Sequence, residues 1–484
     1  MSLSTDSMAE ASGDARMVSP GDAGAVCRIN SLPSDVLTRA ISFLDARQLV
    51  QTCVLSRRWR DLWRSVPRIN ASRHEFDGMA GTEEERHVLF KKFINRFLML
   101  RNPVALDEFW LRYNITYYSD PDADSEDANL WIRHALQSNA RSVEVFGGGV
   151  ISLQLDPAVF ASECCFLTSM LLSDVFLEPP FFRNLQTGCP VSERLILRCC
   201  AIVDTEISSH TLKDLTIDDE CHCIFEGRAS ISIPSLVDLH FFPNGTGIPL
   251  LENMESLVTA SLLIRTDKDT QVDDIRQFLR SLSGVTELEF NCLGTTLEIE
   301  QNLQWCPKFN NLTTLTLDGW CLYEDFYPLI VFLQNSPNLE QLTLELREIF
   351  IKLHPYQGFI RYLEERSFTC VHLVRVDIVF ETIYSDSKVI LRFFMVWTHY
   401  TNQSFTVNLE ERLFTCENLK IVEIVCWEES GNDPVLKNLE EKLFLDNGLT
   451  SRQIDMVTRV YLALRFYLNQ SLEQVLPARL TMPV

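Results

Sequence analysis

This chain has no long hydrophobic run, no surplus of positive charge and none of the short motifs that announce catalysis. Each shortage removes a class of function. No apolar run approaches the roughly 20 residues that span a bilayer; the longest, Val389–Trp397, is broken by Arg392, so no membrane role is expected. The N-terminus lacks the basic-then-apolar profile of a secretory signal, which implies the cytosol or nucleus. The formal net charge is −23 over 484 residues. A general nucleic-acid binder needs basic surface to displace counterions from phosphate, so none is expected here. GxxxxGK[ST], a strand-linked GxGxxG, GxSxG and HExxH are all missing, so neither a cofactor nor a catalytic residue is expected.

A few groupings remain with some chemical potential. Cys221-His222-Cys223 is the one tight thiol–imidazole cluster, but a structural zinc site needs a second ligand pair at defined spacing, so no metal is expected. Gly147-Gly148-Gly149 reads as a turn after a strand, with no lysine or threonine following to hold phosphate. The acidic stretch Asp120–Asp127 lacks the central Gly and the bidentate Glu of a calcium loop and reads as a solvated loop. The 15 cysteines are scattered through apolar, strand-like segments such as Cys199, Cys200, Cys292 and Cys426. They read as reduced, buried thiols.

What is present begins with a change of character at residue 27. Residues 1–26 are rich in Ser, Ala, Gly, Asp and Met and read as a disordered leader. From Arg28 to Arg73 there are nine Arg against three Asp (Asp35, Asp45, Asp61), so a basic module of +6 sits on a chain whose remainder carries −29. A basic module on an acidic protein points to an acidic partner for that module. Three short helices are expected. In the first, Pro33 suits the first turn, Asp35 favours the positive end of the dipole, and Val36 to Leu44 spread apolar residues over an arc of roughly 160°. Asp45 caps the second and Ser56 the third, where Trp59, Leu62, Trp63 and Val66 fall at helical spacing before Pro67. Three helices in so short a stretch cannot hide that much apolar surface alone. Either a partner groove or the rest of the chain must cover it. Residues 74–103 hold a linking helix, capped by Thr82 with Glu83–Glu85 in its first turn and stopped by Asn102-Pro103.

From 104 to 430 one pattern recurs: apolar, two residues, apolar, one residue, apolar. It runs from Leu106/Phe109/Leu111 to Leu419/Val422/Ile424 in twelve copies, one of them with Ser192 in the first slot, mostly 20 to 34 residues apart. Each copy reads as a short strand, and stretches between, such as Asp273–Leu282 and Asp325–Gln334, read as helices. A strand followed by a helix or loop, repeated at this length, is the signature of a leucine-rich-repeat solenoid. LEERSFTC at Leu363–Cys370 nearly recurs as LEERLFTC at Leu409–Cys416, followed by matching strands, which reads as a local duplication. Residues 431–484 read as a helical cap, with a helix opening at Ser451, and a tail. The expected fold is therefore α/β: a small helical module, an irregular repeat solenoid and a helical C-terminal cap.

The segment INSLPSDVLTRAISFLDARQLVQTCVLSRRWRDLWRSVP, Ile29–Pro67, resembles the F-box of plant F-box/leucine-rich-repeat proteins. SPNLEQLTLEL at Ser336–Leu346 resembles their repeats, and CENLKIVEIVCWEE at Cys416–Glu429 their C-terminal FBD-type region. The resemblance implies a substrate-recognition subunit of an SCF-type ubiquitin ligase. The F-box would dock on a SKP-type adaptor, and through it on a cullin and a RING subunit, while the repeats hold a target protein. It implies no bond chemistry in this chain. By motif position, Leu32, Pro33, Val36, Leu37, Ile41, Leu44, Val54, Trp59 and Trp63 would face the adaptor or brace that surface. Side chains between the buried strand positions, among them Glu287, Glu289, Thr314, Thr316, Gln341 and Thr343, would face the target. Two other readings stay open: a scaffold that keeps the F-box without the ligase, and an enzyme using Cys221 or His222.

Overall fold

A computed structural model describes residues 28–115, 120–148, 152–161, 164–223, 228–245, 248–266, 272–294, 306–346, 368–380, 414–416, 421–426 and 454–457. The leader and most of the region after 380 lie outside these. The helical module comprises α1 (Ser34–Ile41), α2 (Ala46–Gln51) and a 3-10 turn at Leu62–Ser65. The third helix expected from Ser56 is absent: the chain turns through Arg57–Asp61 before that single 3-10 turn. In this arrangement the Arg58 guanidinium bonds the Leu32 carbonyl and the Ser34 hydroxyl. A tertiary anchor wins over helical spacing here.

The module does not end where its sequence character ends. Arg68–Ser72 is a strand, β1, and among the described residues it is the first of fourteen in one parallel sheet. The others are β2 (Glu108–Arg112), β3 (Ser142–Phe146), β4 (Ser169–Ser173), β5 (Arg194–Arg198), β6 (Asp214–Ile217) and β7 (Asp238–Phe241). They continue with β8 (Thr259–Thr266), β9 (Glu287–Gly294), β10 (Thr314–Asp318), β11 (Gln341–Leu346), β12 (Arg375–Phe380), β13 (Ile421–Cys426) and β14 (Ile454–Val457). Their order in space is their order in the chain, and the sheet is open at both ends. All twelve sequence copies of the strand pattern fall on β2–β13. The helical cap expected over 431–484 is not what the structure describes there: Ile454–Val457 is a strand paired to β13, and the rest of that span lies outside the described residues.

Parallel strands are usually buried on both faces and read as continuous apolar runs. These alternate instead. Both inward positions of β2–β11 are at most 2 % exposed, while the residues between them are largely charged or hydroxylic. One face therefore packs a core and the other is open. The chain returns between strands by helices α3 (Glu83–Leu100), α4 (Pro121–Gln137), α5 (Phe181–Gly188), α6 (Val272–Ser281) and α7 (Tyr323–Gln334), or by short strands. Those short strands form smaller parallel stacks, one running Leu153–Leu155, Val175–Leu177, Ala201–Ile202 and His222–Cys223. The close packing explains Gly147, where a Cβ would meet the Asp174 carbonyl oxygen at 2.5 Å. In the near-duplicate segment, Phe368–Cys370 pairs with Phe414–Cys416 and β12 with β13, both at the 46-residue offset of the sequence repeat.

Candidate functional site

The apolar residues of the helical module divide into two sets. Leu37, Ile41, Ala46, Leu49, Trp59, Trp63 and Val66 point inward and join one core with Ile69, Ala71 and Phe76. Trp63 stacks on Phe97 of α3 with ring centroids 5.2 Å apart, and Phe76 packs on Phe90 and Phe93. The module is thus braced by its own chain. The second set points outward: Val54 is 82 % exposed, Phe43 68 % and Leu55 64 %, with Ile29, Leu32 and Val36 also open. Arg58, bonded to Leu32 and Ser34, ties the turn that follows Val54 and Leu55 to the start of α1.

The site residues expected from sequence fall on both sides of this division. Leu32, Pro33, Val36 and Val54 are surface residues; Leu37, Ile41, Trp59 and Trp63 are interior supports, and Leu44 is half-buried. Phe43, Leu55 and Ile29 are exposed apolar residues that the sequence reading did not assign to the surface. The signal for Phe43 lay in the breadth of the apolar arc from Val36 to Leu44, which one packed side cannot absorb.

Capping at the junction also differs from expectation. Asp45 precedes α2, but its carboxylate accepts from the Asn70 side chain of β1. The free amides of α2 are instead met by Glu75, whose two oxygens accept from Arg47 N at 3.1 Å and Gln48 N at 3.2 Å. Burial pushes the Glu75 carboxyl up to about 7, with Asp45 adding to the rise and the amide bonds from Arg47 and Gln48 opposing it. These groups border an open recess of about 420 Å³ that also touches Trp110 and Arg112 of β2. Arg112 lies over the rings of Trp110, at 4.8 Å, and Phe146, at 5.4 Å. At the far end of β1, Arg73 is buried and pairs with Asp77 at 3.0 Å and Glu83 at 2.9 Å, tying the strand to the start of α3. Helix α3 begins as the sequence requires, with a reciprocal capping box between Thr82 and Glu85.

The acidic stretch 120–127 is not a solvated loop. Asp120 caps α4, and Asp124 in its first turn is buried. One Asp124 oxygen accepts from Tyr113 Oη at 2.7 Å, His87 Nε2 at 3.0 Å and Lys91 Nζ at 3.0 Å. Burial and this carboxylate hold the Tyr113 hydroxyl far above its ordinary range. The cluster has the membership of a catalytic set, but it is sealed between α3, α4 and β2 and serves to join them.

Cys221 is fully buried, and the neighbouring Cys200 thiol, together with burial, pushes its own thiol far up. His222 is exposed on a two-residue strand. This environment suppresses the thiolate an enzyme would need. Among the described residues the cysteines are free thiols, and no three potential metal ligands cluster.

The six candidate target-facing residues do come together. Glu287 pairs with Thr314, which pairs with Gln341; Glu289 pairs with Thr316, which pairs with Thr343. They form two adjacent rows across β9–β11 on the open face, Glu287 exposed and the others half-buried.

A family model for the F-box domain matches residues 29–70. An F-box/LRR-repeat protein of Arabidopsis thaliana is 27% identical over 388 residues, covering 70% of this chain and 97% of that protein. A meiotic F-box protein of Oryza sativa subsp. japonica is 28% identical over 340 residues, covering 66% of this chain and 71% of that one. A putative FBD-associated F-box protein of Arabidopsis thaliana is 25% identical over 339 residues, covering 65% and 76%. Residues 29–70 thus match an F-box domain, and about two thirds of the chain is similar to plant F-box/LRR-repeat and FBD-associated F-box proteins.

Proposed function

We propose that this chain is the substrate-recognition subunit of an SCF-type ubiquitin ligase. The F-box takes a SKP-type adaptor, which brings a cullin and a RING subunit. The sheet region is a leucine-rich-repeat solenoid whose open face takes a target protein. The observation that carries the reading is the outward apolar set on a matched F-box. Val54, Leu55, Phe43, Val36 and Leu32 stay in water although the module's own core is complete. Exposed apolar groups collected on a small basic module are the mark of a protein interface. The chain itself performs no bond chemistry in this role. It accelerates ubiquitin transfer by holding the target close to the activated carrier.

The test separates surface from support. The double substitution Val54→Asp with Leu55→Asp changes two open positions, where substitutions are usually within about 0.5 kcal/mol of neutral. It is expected to leave the thermal melt intact and to abolish co-purification with the adaptor. Retained adaptor capture by that variant would sink the assigned interface. Trp59→Ala is expected to fail differently, by loss of roughly 3–5 kcal/mol of fold stability.

A further inference from the structure

The open face changes character along the sheet. Strand alternation places four arginines (Arg68, Arg112, Arg194, Arg198) and two acids (Glu108, Glu144) on the β1–β5 part. On β6–β12 the same positions hold seven acids (Asp214, Asp238, Glu287, Glu289, Asp318, Glu345, Asp377) against Arg265 and Arg375. Both of those arginines are engaged at home. Arg265 donates to the Pro243 carbonyl at 2.8 Å and to Asn244 Oδ1 at 3.2 Å. Arg375 Nε donates to Asp377 Oδ2 at 2.8 Å, where Gln341 Nε2 also donates at 3.0 Å.

A second observation points the same way. Asn291 is 4 % exposed and Asp377 8 %, and both lie on this face by alternation. Asn291 Oδ1 and Asp377 Oδ1 have no hydrogen-bond partner. A buried acceptor left empty costs about 1–3 kcal/mol, and buried polar groups are otherwise satisfied in more than nine cases of ten. Among the described residues, this stretch of the face has acceptors in excess and no spare cation. It is built for donors brought from outside.

We propose that strands β8–β12 bind a basic segment of the target polypeptide, placing lysine or arginine side chains against Glu287 and Glu289, above the unfilled oxygens of Asn291 and Asp377. This rests on reading the open face as the target surface, and names the chemistry that surface selects. Repulsion from the same carboxylates turns away acidic segments and nucleic acid.

The test uses the full-length chain and short fluorescein-labelled peptides: one alternating lysine and serine, one alternating glutamate and serine. Fluorescence anisotropy is expected to show salt-sensitive binding of the lysine peptide only. Glu287→Gln with Glu289→Gln should weaken it about tenfold, and Asp377→Asn should weaken it as well. A charge-matched control, Glu126→Gln with Glu178→Gln, alters two exposed acids off this face and should bind as the parent does. No binding of the lysine peptide, unchanged binding in the face variant, or equal loss in the control would each overturn the proposal. Adaptor capture by the same samples tests the ligase reading separately, since it depends on the F-box and not on these strands.

Discussion

Asp124 shows how much one side chain can hold. One of its oxygens gathers a phenol from just after β2 and an imidazole and an ammonium from α3 onto the first turn of α4. Removing the carboxylate takes the shared acceptor from the buried Tyr113 and His87 and leaves Lys91 with Asp127 alone. Asp124→Ala is expected to lower the unfolding free energy by about 3 kcal/mol, read as a shift of the urea midpoint at constant slope. Nothing local announces this role. Asp120–Asp127 looks like any acidic loop because the partners lie 11 to 37 residues away. Glu75 was equally silent in sequence. Its folded carboxyl sits near 7 against an ordinary 4.5. An acid whose pKa is raised on folding binds its proton more tightly in the native state. Stability is therefore greater below about 4.5 and falls as pH climbs through about 7. Glu75→Gln is expected to flatten the dependence of the melting temperature on pH across that window; an unchanged slope would show that the burial of Glu75 does not matter to folding.

Elements were legible where the pattern was dense and misread where it was thin. Each of β2–β13 carries two or three large apolar residues in alternation, so period two stands out over any local noise. Strand β1, RINAS, offers Ile69 and Ala71 alone within a basic helical stretch, and it passed for the end of the module. Trp59, Leu62, Trp63 and Val66 keep helical spacing, yet the stacking of Trp63 on Phe97 and the pull of Arg58 toward Leu32 fix a different backbone. The site followed the same division. The motif located the residues, but which of them are open and which are interior depended on what α3 and β1 cover. The boundary has a measurable consequence. A fragment of residues 28–73 keeps the helices but loses Phe90 and Phe97 and leaves β1 unpaired. It is expected to show no cooperative melt, whereas a fragment of residues 28–148, which restores α3, β2, α4 and β3, should unfold in one transition by circular dichroism.

At the scale of the whole molecule, fourteen described strands follow one another in chain order, with an apolar F-box surface at the first and a face that runs from arginine-rich to acid-rich. The net charge of −23 therefore conceals an ordered distribution. Composition alone gave its sign, and only the strand register gave its direction. β1 overlaps the end of the F-box match and is the first rung of the sheet, so one paired strand joins the F-box to the open face. The molecule behaves as a measuring stick. Each rung stands about 4.8 Å from the next, and the near-copy stacked at β12 and β13 shows how a rung is added without disturbing those before it. In the proposed ligase role, gaining or losing one such unit would move everything beyond it by one graduation relative to the F-box, and with it the choice of which lysine on a captive protein comes within reach.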